Sequence, residues 1–224
     1  MLNVWFFIFI LSALLDWIAL RMGWKKVNYF SKPAALLALI AWFTSLGGWQ
    51  ISPIWFGLAL VFSLLGDIFL LLADKFLLLG LVVFLLAHAA YVLGFAPPSA
   101  TPPLPTLVFS TVVFLMGCSL YNKLHKAIEN KAGFKKLRAT LLLYSLALCL
   151  MLFSTLLTLA QAQWLPAAAI LVACGGMLFF TSDSLWVHNR FIHPLPNAKL
   201  LVRITYHMAH LALVAGILLN FLKR

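Results

Sequence analysis

Apolar residues run almost unbroken along this chain. Short polar, Pro- or Gly-bearing clusters cut them into pieces of membrane-crossing length. A helix needs about 20 apolar residues to traverse the hydrocarbon core of a bilayer. The pattern predicts an all-α polytopic membrane protein, a bundle of about eight transmembrane helices over residues 3–20, 33–46, 54–73, 76–95, 106–121, 139–160, 164–187 and 198–221. Punctuation marks the breaks: a basic stretch at 21–32, a turn with Gly47, Gly48 and Pro53, the tight Asp74-Lys75 connection, a Pro-rich loop at 97–105, a polar segment at 122–138, a turn at 161–163 and a connection at 188–197. The second span is placed to start at Pro33, because proline suits the first helical position. No soluble domain and no repeat stands out, so the expectation is one transmembrane domain over residues 1–224. The N-terminal run lacks a basic region before it and a small-residue cleavage site after it, and reads as a first span rather than a signal peptide.

Composition agrees. Hydrophobic residues make up 64% of the chain and charged residues 9%, against roughly 25% charged in a soluble domain. Cys118, Cys149 and Cys174 all fall in apolar stretches at spacings that fit no metal motif; they read as small buried hydrophobes.

Charge sets the orientation. Arg21, Lys25, Lys26 and Lys32, then Lys75, then Lys123 to Arg138, then Arg190, Lys199 and Arg203 all belong to alternate loops and their flanks; of the sixteen Lys and Arg, only Lys223 and Arg224 fall on the other side. Basic loops stay cytoplasmic. The expectation is an integral protein of a bacterial inner (cell) membrane, with both termini outside and the basic loops inside. The net charge of +11 fits attraction to anionic lipid headgroups. Nucleic-acid binding would need an exposed basic domain, and the sequence offers none.

The chain has only five acids: Asp16, Asp67, Asp74, Glu129 and Asp183. Asp74 and Glu129 fall in loops, and Asp16 near the inner end of its span, where water is expected to reach it. Asp67 and Asp183 lie about five residues inside their spans, where an unpaired charge costs roughly 2.5–3.5 kcal/mol at the helix centre. Both must face the bundle interior, a polar cavity or a partner such as Arg203. Their spans run in the same direction, so one cytoplasm-facing cavity could take both. His88 and Tyr91, three apart, share a helix face. So do Arg203, His207 and His210, with Tyr206 and His210 four apart. His125, His188 and His193 lie near loops and call for no special role. No phosphate-binding glycine loop, HExxH or nucleophile elbow occurs.

These residues leave several functions open. Intramembrane Asp and His also build proton relays, but a proton-coupled transporter is expected to show internal repeats and broken helices. The Gly66-Asp67 pair would suit an aspartate-dependent membrane protease. His88, His207, His210 and an Asp would suit a zinc hydrolase. A scaffolding role needs none of this chemistry.

The runs Ser31-Lys32-Pro33, Phe62-Ser63-Leu64-Leu65-Gly66-Asp67, His88-Ala89-Ala90-Tyr91, Phe180-Thr181-Ser182-Asp183-Ser184 and Thr205-Tyr206-His207-Met208-Ala209-His210 occur in this order. As an ordered set they resemble the YhhN family of lysoplasmalogenase-like membrane proteins, from about residue 30 to 215. The last motif often ends in Gln, where this chain has His210. The resemblance implies an eight-helix membrane hydrolase of lysoplasmalogens, lysophospholipids with a vinyl ether. It would release a fatty aldehyde and a glycerophospho-ethanolamine or -choline, with lysophospholipid and membrane lipids as partners and without cofactor or metal. A vinyl ether must first be protonated on its outer carbon, giving an oxocarbenium ion to which water adds. Glycosidases meet a related ion with two carboxylates, and paired acids divide the acid and base roles between them. Asp67 as general acid and Asp183 as base or cation stabiliser are the natural pair, in that order or reversed. Ser63, His88, Tyr91, Tyr206, His207 and His210 would position substrate or water. Lys32 or Arg203 would hold the lipid phosphate.

Overall fold

Asn3 starts the first helix, α1 (Val4–Met22). Its side-chain oxygen accepts from the backbone N–H groups of Trp5 and Phe6, two of the donors that a helix N-terminus leaves unpaired. Gly23 ends α1 at φ 72, a left-handed conformation that glycine takes without strain. There follow α2 (Lys25–Ser45), the single turn α3 (Gly48–Ile51), α4 (Ile54–Leu72), α5 (Leu77–Phe95), α6 (Pro103–Ile128), α7 (Phe134–Leu157), α8 (Pro166–Val187) and α9 (Ala198–Leu222). Pro103 and Pro166 open α6 and α8, where a missing N–H costs nothing. A π turn, His188–Ile192, prolongs α8.

The computed structural model describes residues 2–72, 74–96, 102–129 and 134–222, and no strand occurs among them. Residues 97–101 of the Pro-rich loop lie outside the described residues, as do Lys131, Lys223 and Arg224 of the charge pattern.

Among the described residues, eight helices are long enough to cross a bilayer, and seven are also apolar enough; α2 is the exception. It also departs from expectation at its start. The helix begins at Lys25, about two turns before Pro33, which lies inside it. An interior proline forfeits one backbone hydrogen bond, at about 3 kcal/mol. The polar turns upstream offset this by docking on buried acids. Asn28 and Ser31 donate to Asp16, and Lys32 pairs with Asp67.

Helix contacts run α1–α2–α4–α5–α7–α8–α9 and close from α9 back to α1 and α2, so seven helices form a ring; α6 packs outside it, on α7 and the π turn. The outer surface is apolar. On α1, Phe7, Leu11, Leu14 and Ile18 are exposed while Phe9, Ala13 and Asp16 are buried, the one-sided pattern of a helix between lipid and bundle. The ring interior combines aromatic packing around Phe56, Tyr91, Phe95 and Phe179 with buried polar groups, among them Asp16, Asp67, His88, Asp183, His207 and His210.

Candidate active site

The pairs α1–α2, α4–α5 and α8–α9 are antiparallel, so the end of α1 meets the start of α2, the end of α4 the start of α5, and the end of α8 the start of α9. At that common end a cavity of about 500 Å³ enters the bundle, a volume typical of small-ligand sites. Its wall includes Lys32, Asp67, Phe84, Tyr144, Asp183, Arg203 and Tyr206, and its rim Trp24, Lys25, Asn189, Arg190 and Lys199. The two acids singled out by depth therefore line one cavity, and the cavity opens at the basic end of the molecule.

Asp67 lies next to Gly66 on α4, where a Cβ would come within 2.6 Å of the Phe84 ring of α5. That close approach holds the acid against the helix interior. The Asp67 Oδ1 accepts from Lys32 Nζ at 2.6 Å, and the same Nζ lies 5.7 Å from the centre of the Tyr206 ring. The Tyr206 hydroxyl neighbours Asp67, yet it and Asp67 Oδ2 have no hydrogen-bond partner among the described residues.

Asp183 has different company. The Tyr144 hydroxyl donates to its Oδ2 in a short hydrogen bond. His88 Nε2 lies 3.3 Å from the same oxygen. His88 Nδ1 is 2.6 Å from the Phe84 carbonyl, which can only accept, so Nδ1 carries the proton there. Nε2 makes no hydrogen bond among the described residues, and the Tyr144 and Phe179 rings pack at 5.3 and 5.2 Å from the His88 ring.

Asp16 does not meet water. It is wholly buried: its Oδ1 accepts from Asn28 at 2.6 Å and Ser31 at 2.8 Å, and its Oδ2 lies 3.5 Å from an Arg203 guanidinium nitrogen. The expectation of an accessible Asp16 fails because α2 starts early and covers it. Asp16 thus anchors α2 and Arg203 beside the cavity.

The other expected residues form a layer behind the wall. Trp17 donates to His207 Nδ1 at 3.0 Å, with the rings stacked at 6.1 Å, which ties α1 to α9. Tyr91 and His210 are hydrogen-bonded at 3.3 Å, and His210 packs edge-on to Tyr206 at 4.5 Å. Ser63 is fully buried, more than a turn below Asp67. None of His88, Tyr91, His207, His210 or Ser63 lines the cavity; His88 adjoins it behind Asp183, and His210 behind Tyr206. The histidines proposed as zinc ligands each have a different neighbour, and no group of three or more His, Cys, Asp or Glu among the described residues could hold a metal ion.

Tyr144 and Asn28 escaped sequence reasoning, and Ser31 entered it only within the Ser31-Lys32-Pro33 run, without a role. A signal existed for Tyr144: it sits five residues inside the expected span 139–160, away from the interfacial position that tyrosine usually takes.

Fold and site together define a polytopic α-helical membrane protein with a carboxylate-lined cavity at its basic end. The chain belongs to the YhhN family, whose model matches residues 27–217. That match takes in Lys32, Asp67, His88, Tyr144, Asp183 and Arg203 but not Asp16 or Trp17. No curated protein and no solved structure matches the chain.

Proposed function

We propose that the chain is an intramembrane hydrolase that cleaves the vinyl ether of lysoplasmalogens. One observation carries this reading: two carboxylates from different helices line one cavity, and one is paired with the Lys32 ammonium while the other accepts a hydrogen bond from the Tyr144 hydroxyl beside His88. That is the division of labour that carbon protonation and cation stabilisation require.

The pairing favours the reverse of the first role assignment. A carboxylate held by Lys32 is a poor proton donor and a good counter-charge, so Asp67 stabilises the oxocarbenium ion. Asp183 gives its proton to the outer vinyl carbon, and the electron pair of the double bond forms the new C–H bond. Positive charge then spreads over the inner carbon and the ether oxygen. Water adds to that carbon and returns a proton to Asp183. The hemiacetal collapses, its hydroxyl proton leaving as the glycerol oxygen takes one up. The balance is vinyl ether plus water to aldehyde plus alcohol. His88 relays the proton at Asp183, and the Tyr206 hydroxyl with Asp67 Oδ2 orients the water. Leu70, Leu71, Leu81 and Phe84 of the wall suit the hydrocarbon chain.

The test is bond type. Matching 1-alkenyl, 1-alkyl and 1-acyl lysolipids, and the diradyl plasmalogen, are incubated at equal concentration with purified protein. Aldehyde is expected from the alkenyl lysolipid. The saturated ether has no alkene to protonate. The ester needs an activated nucleophile and an oxyanion hole, and the Ser182 hydroxyl of the wall donates to the Val202 carbonyl instead. Faster release of fatty acid from the acyl form than of aldehyde from the alkenyl form would replace this reading with a lysophospholipase.

A further inference from the structure

The cavity has two polar levels. On α2, Lys25, Asn28 and Lys32 fall on one face, and all three line the cavity. On α9, Lys199, Arg203 and Tyr206 do the same at successive turns. At the inner level Lys32 is committed to Asp67, and Tyr206 lies beside that acid. At the outer level Lys25 and Lys199 are exposed. Arg203 lies between, its side chain 12% exposed, with one guanidinium nitrogen 3.5 Å from Asp16 and without a hydrogen bond among the described residues. The π turn, a feature often found at functional sites, brings Asn189 and Arg190 to the same rim.

We infer that Lys25, Lys199 and Arg203 form a second subsite, which binds the phosphodiester of the lysolipid headgroup; this rests on the lysolipid reading above. Lys32 then has no part in phosphate binding, because its single ammonium is held by Asp67 at 2.6 Å, whereas Arg203 faces Asp16 at 3.5 Å through one guanidinium nitrogen of its fork. The spacing fits. Arg203 precedes Tyr206 by three residues, about 4.5 Å along the helix axis, comparable to the three-carbon glycerol bridge between phosphate and ether. Arg203 supplies a fork suited to two phosphate oxygens, and the lysines add charge without demanding a particular headgroup amine. The subsite acts as a ruler: a phosphate seated at the rim places the vinyl ether at Asp67 and Asp183.

Binding alone tests this, without bond cleavage. A saturated 1-alkyl lysophospholipid, the corresponding 1-alkylglycerol and inorganic phosphate are titrated into protein in neutral detergent. Intrinsic fluorescence is followed, since Trp24 and Trp186 line the cavity. The lysophospholipid is expected to bind at least about tenfold tighter than the alkylglycerol. The double variant Lys25→Gln, Lys199→Gln should shrink that preference to about twofold or less, and Lys25→Arg, Lys199→Arg should restore it, which separates lost charge from lost fold. Equal affinity for the two lipids, or a preference that survives in the Gln variant, overturns the subsite. Displacement of the lysolipid by inorganic phosphate at comparable concentration overturns its assignment to a lipid headgroup. A preference seen in protein that releases no aldehyde supports the subsite and counts against the hydrolase; aldehyde release without the preference does the reverse.

Discussion

Asp67 and Lys32 bury opposite charges against each other at 2.6 Å, which makes the pair a structural liability as well as a chemical asset. Removing one partner of a buried ion pair strands the other, at about 3–5 kcal/mol, whereas replacing both with apolar residues is often neutral. Lys32→Met alone should therefore lower stability by about that amount, and Lys32→Met with Asp67→Leu should regain most of it while turning over no substrate. Thermal unfolding in detergent, run beside an aldehyde assay, reads both effects. Recovery of activity in the double variant would leave the pair with a structural role only. At the other acid, Asp183→Asn should cost about 10²–10⁴-fold in kcat, the usual worth of a positioned proton donor. Tyr144→Phe should cost about tenfold or more, because the tyrosine hydroxyl stabilises the charge left when the proton departs and a hydrogen bond to a charged group contributes about 1.5–3 kcal/mol. Unchanged kcat for Asp183→Asn would remove Asp183 from the proton-donating step, and unchanged kcat for Tyr144→Phe would remove the tyrosine's part in it. The two aspartates were legible in the sequence because charge is rare in apolar spans and must be explained wherever it occurs. Their partners were not, because Lys32, Tyr144 and His88 come from three other helices, and nothing in local spacing says which helices adjoin.

Among the elements, α8 and α9 pack most extensively, and glycine makes this possible. A Cβ on Gly175 of α8 would lie 2.9 Å from the Leu213 backbone nitrogen and 3.1 Å from the Ala209 carbonyl oxygen; one on Gly216 of α9 would lie 2.9 Å from the Ala168 carbonyl oxygen. In lipid, where apolar burial between helices gains little, such close backbone approach supplies the packing. The same pair carries Asp183, Arg203 and Tyr206, so its spacing also sets the site. Gly175→Ala should destabilise the protein by about 1–3 kcal/mol through overpacking against backbone that cannot rotate away. A melting temperature equal to the parent's would show that α9 can shift freely past α8. Span positions were readable from hydropathy to within a few residues for α4, α5, α8 and α9. The start of α2 was not, because Pro33 carries a strong local preference for a first turn, while Asp16 and Asp67, distant in sequence, hold the upstream turns helical.

For the whole molecule, parity decides which way the site faces. If all eight long helices cross, both termini lie on one side; if α2 does not, they lie on opposite sides. By apolarity α2 falls short, yet its 21 residues reach about 31 Å, enough for a core of about 30 Å. Its Lys32 charge is neutralised inside the ring by Asp67, so the polar face that depresses its hydropathy is covered by protein rather than by lipid. The ion pair would thus let α2 span. With eight crossings, the positive-inside rule would put the basic rim of the cavity and the polar segment 122–138 on the cytoplasmic side, and the hydrolase proposed above would draw its substrate from the inner leaflet. A periplasm-dependent reporter fused after Arg224 should be active, and one inserted at 130–133 silent; a reporter that works only in the cytoplasm should give the opposite pattern. A cytoplasmic signal at the C-terminus with a cytoplasmic signal at 130–133 would mean that the number of crossings after residue 133 is even and that α7, α8 or α9 fails to span. A cytoplasmic C-terminus with an external 130–133 segment would invert the molecule and turn the cavity mouth outward.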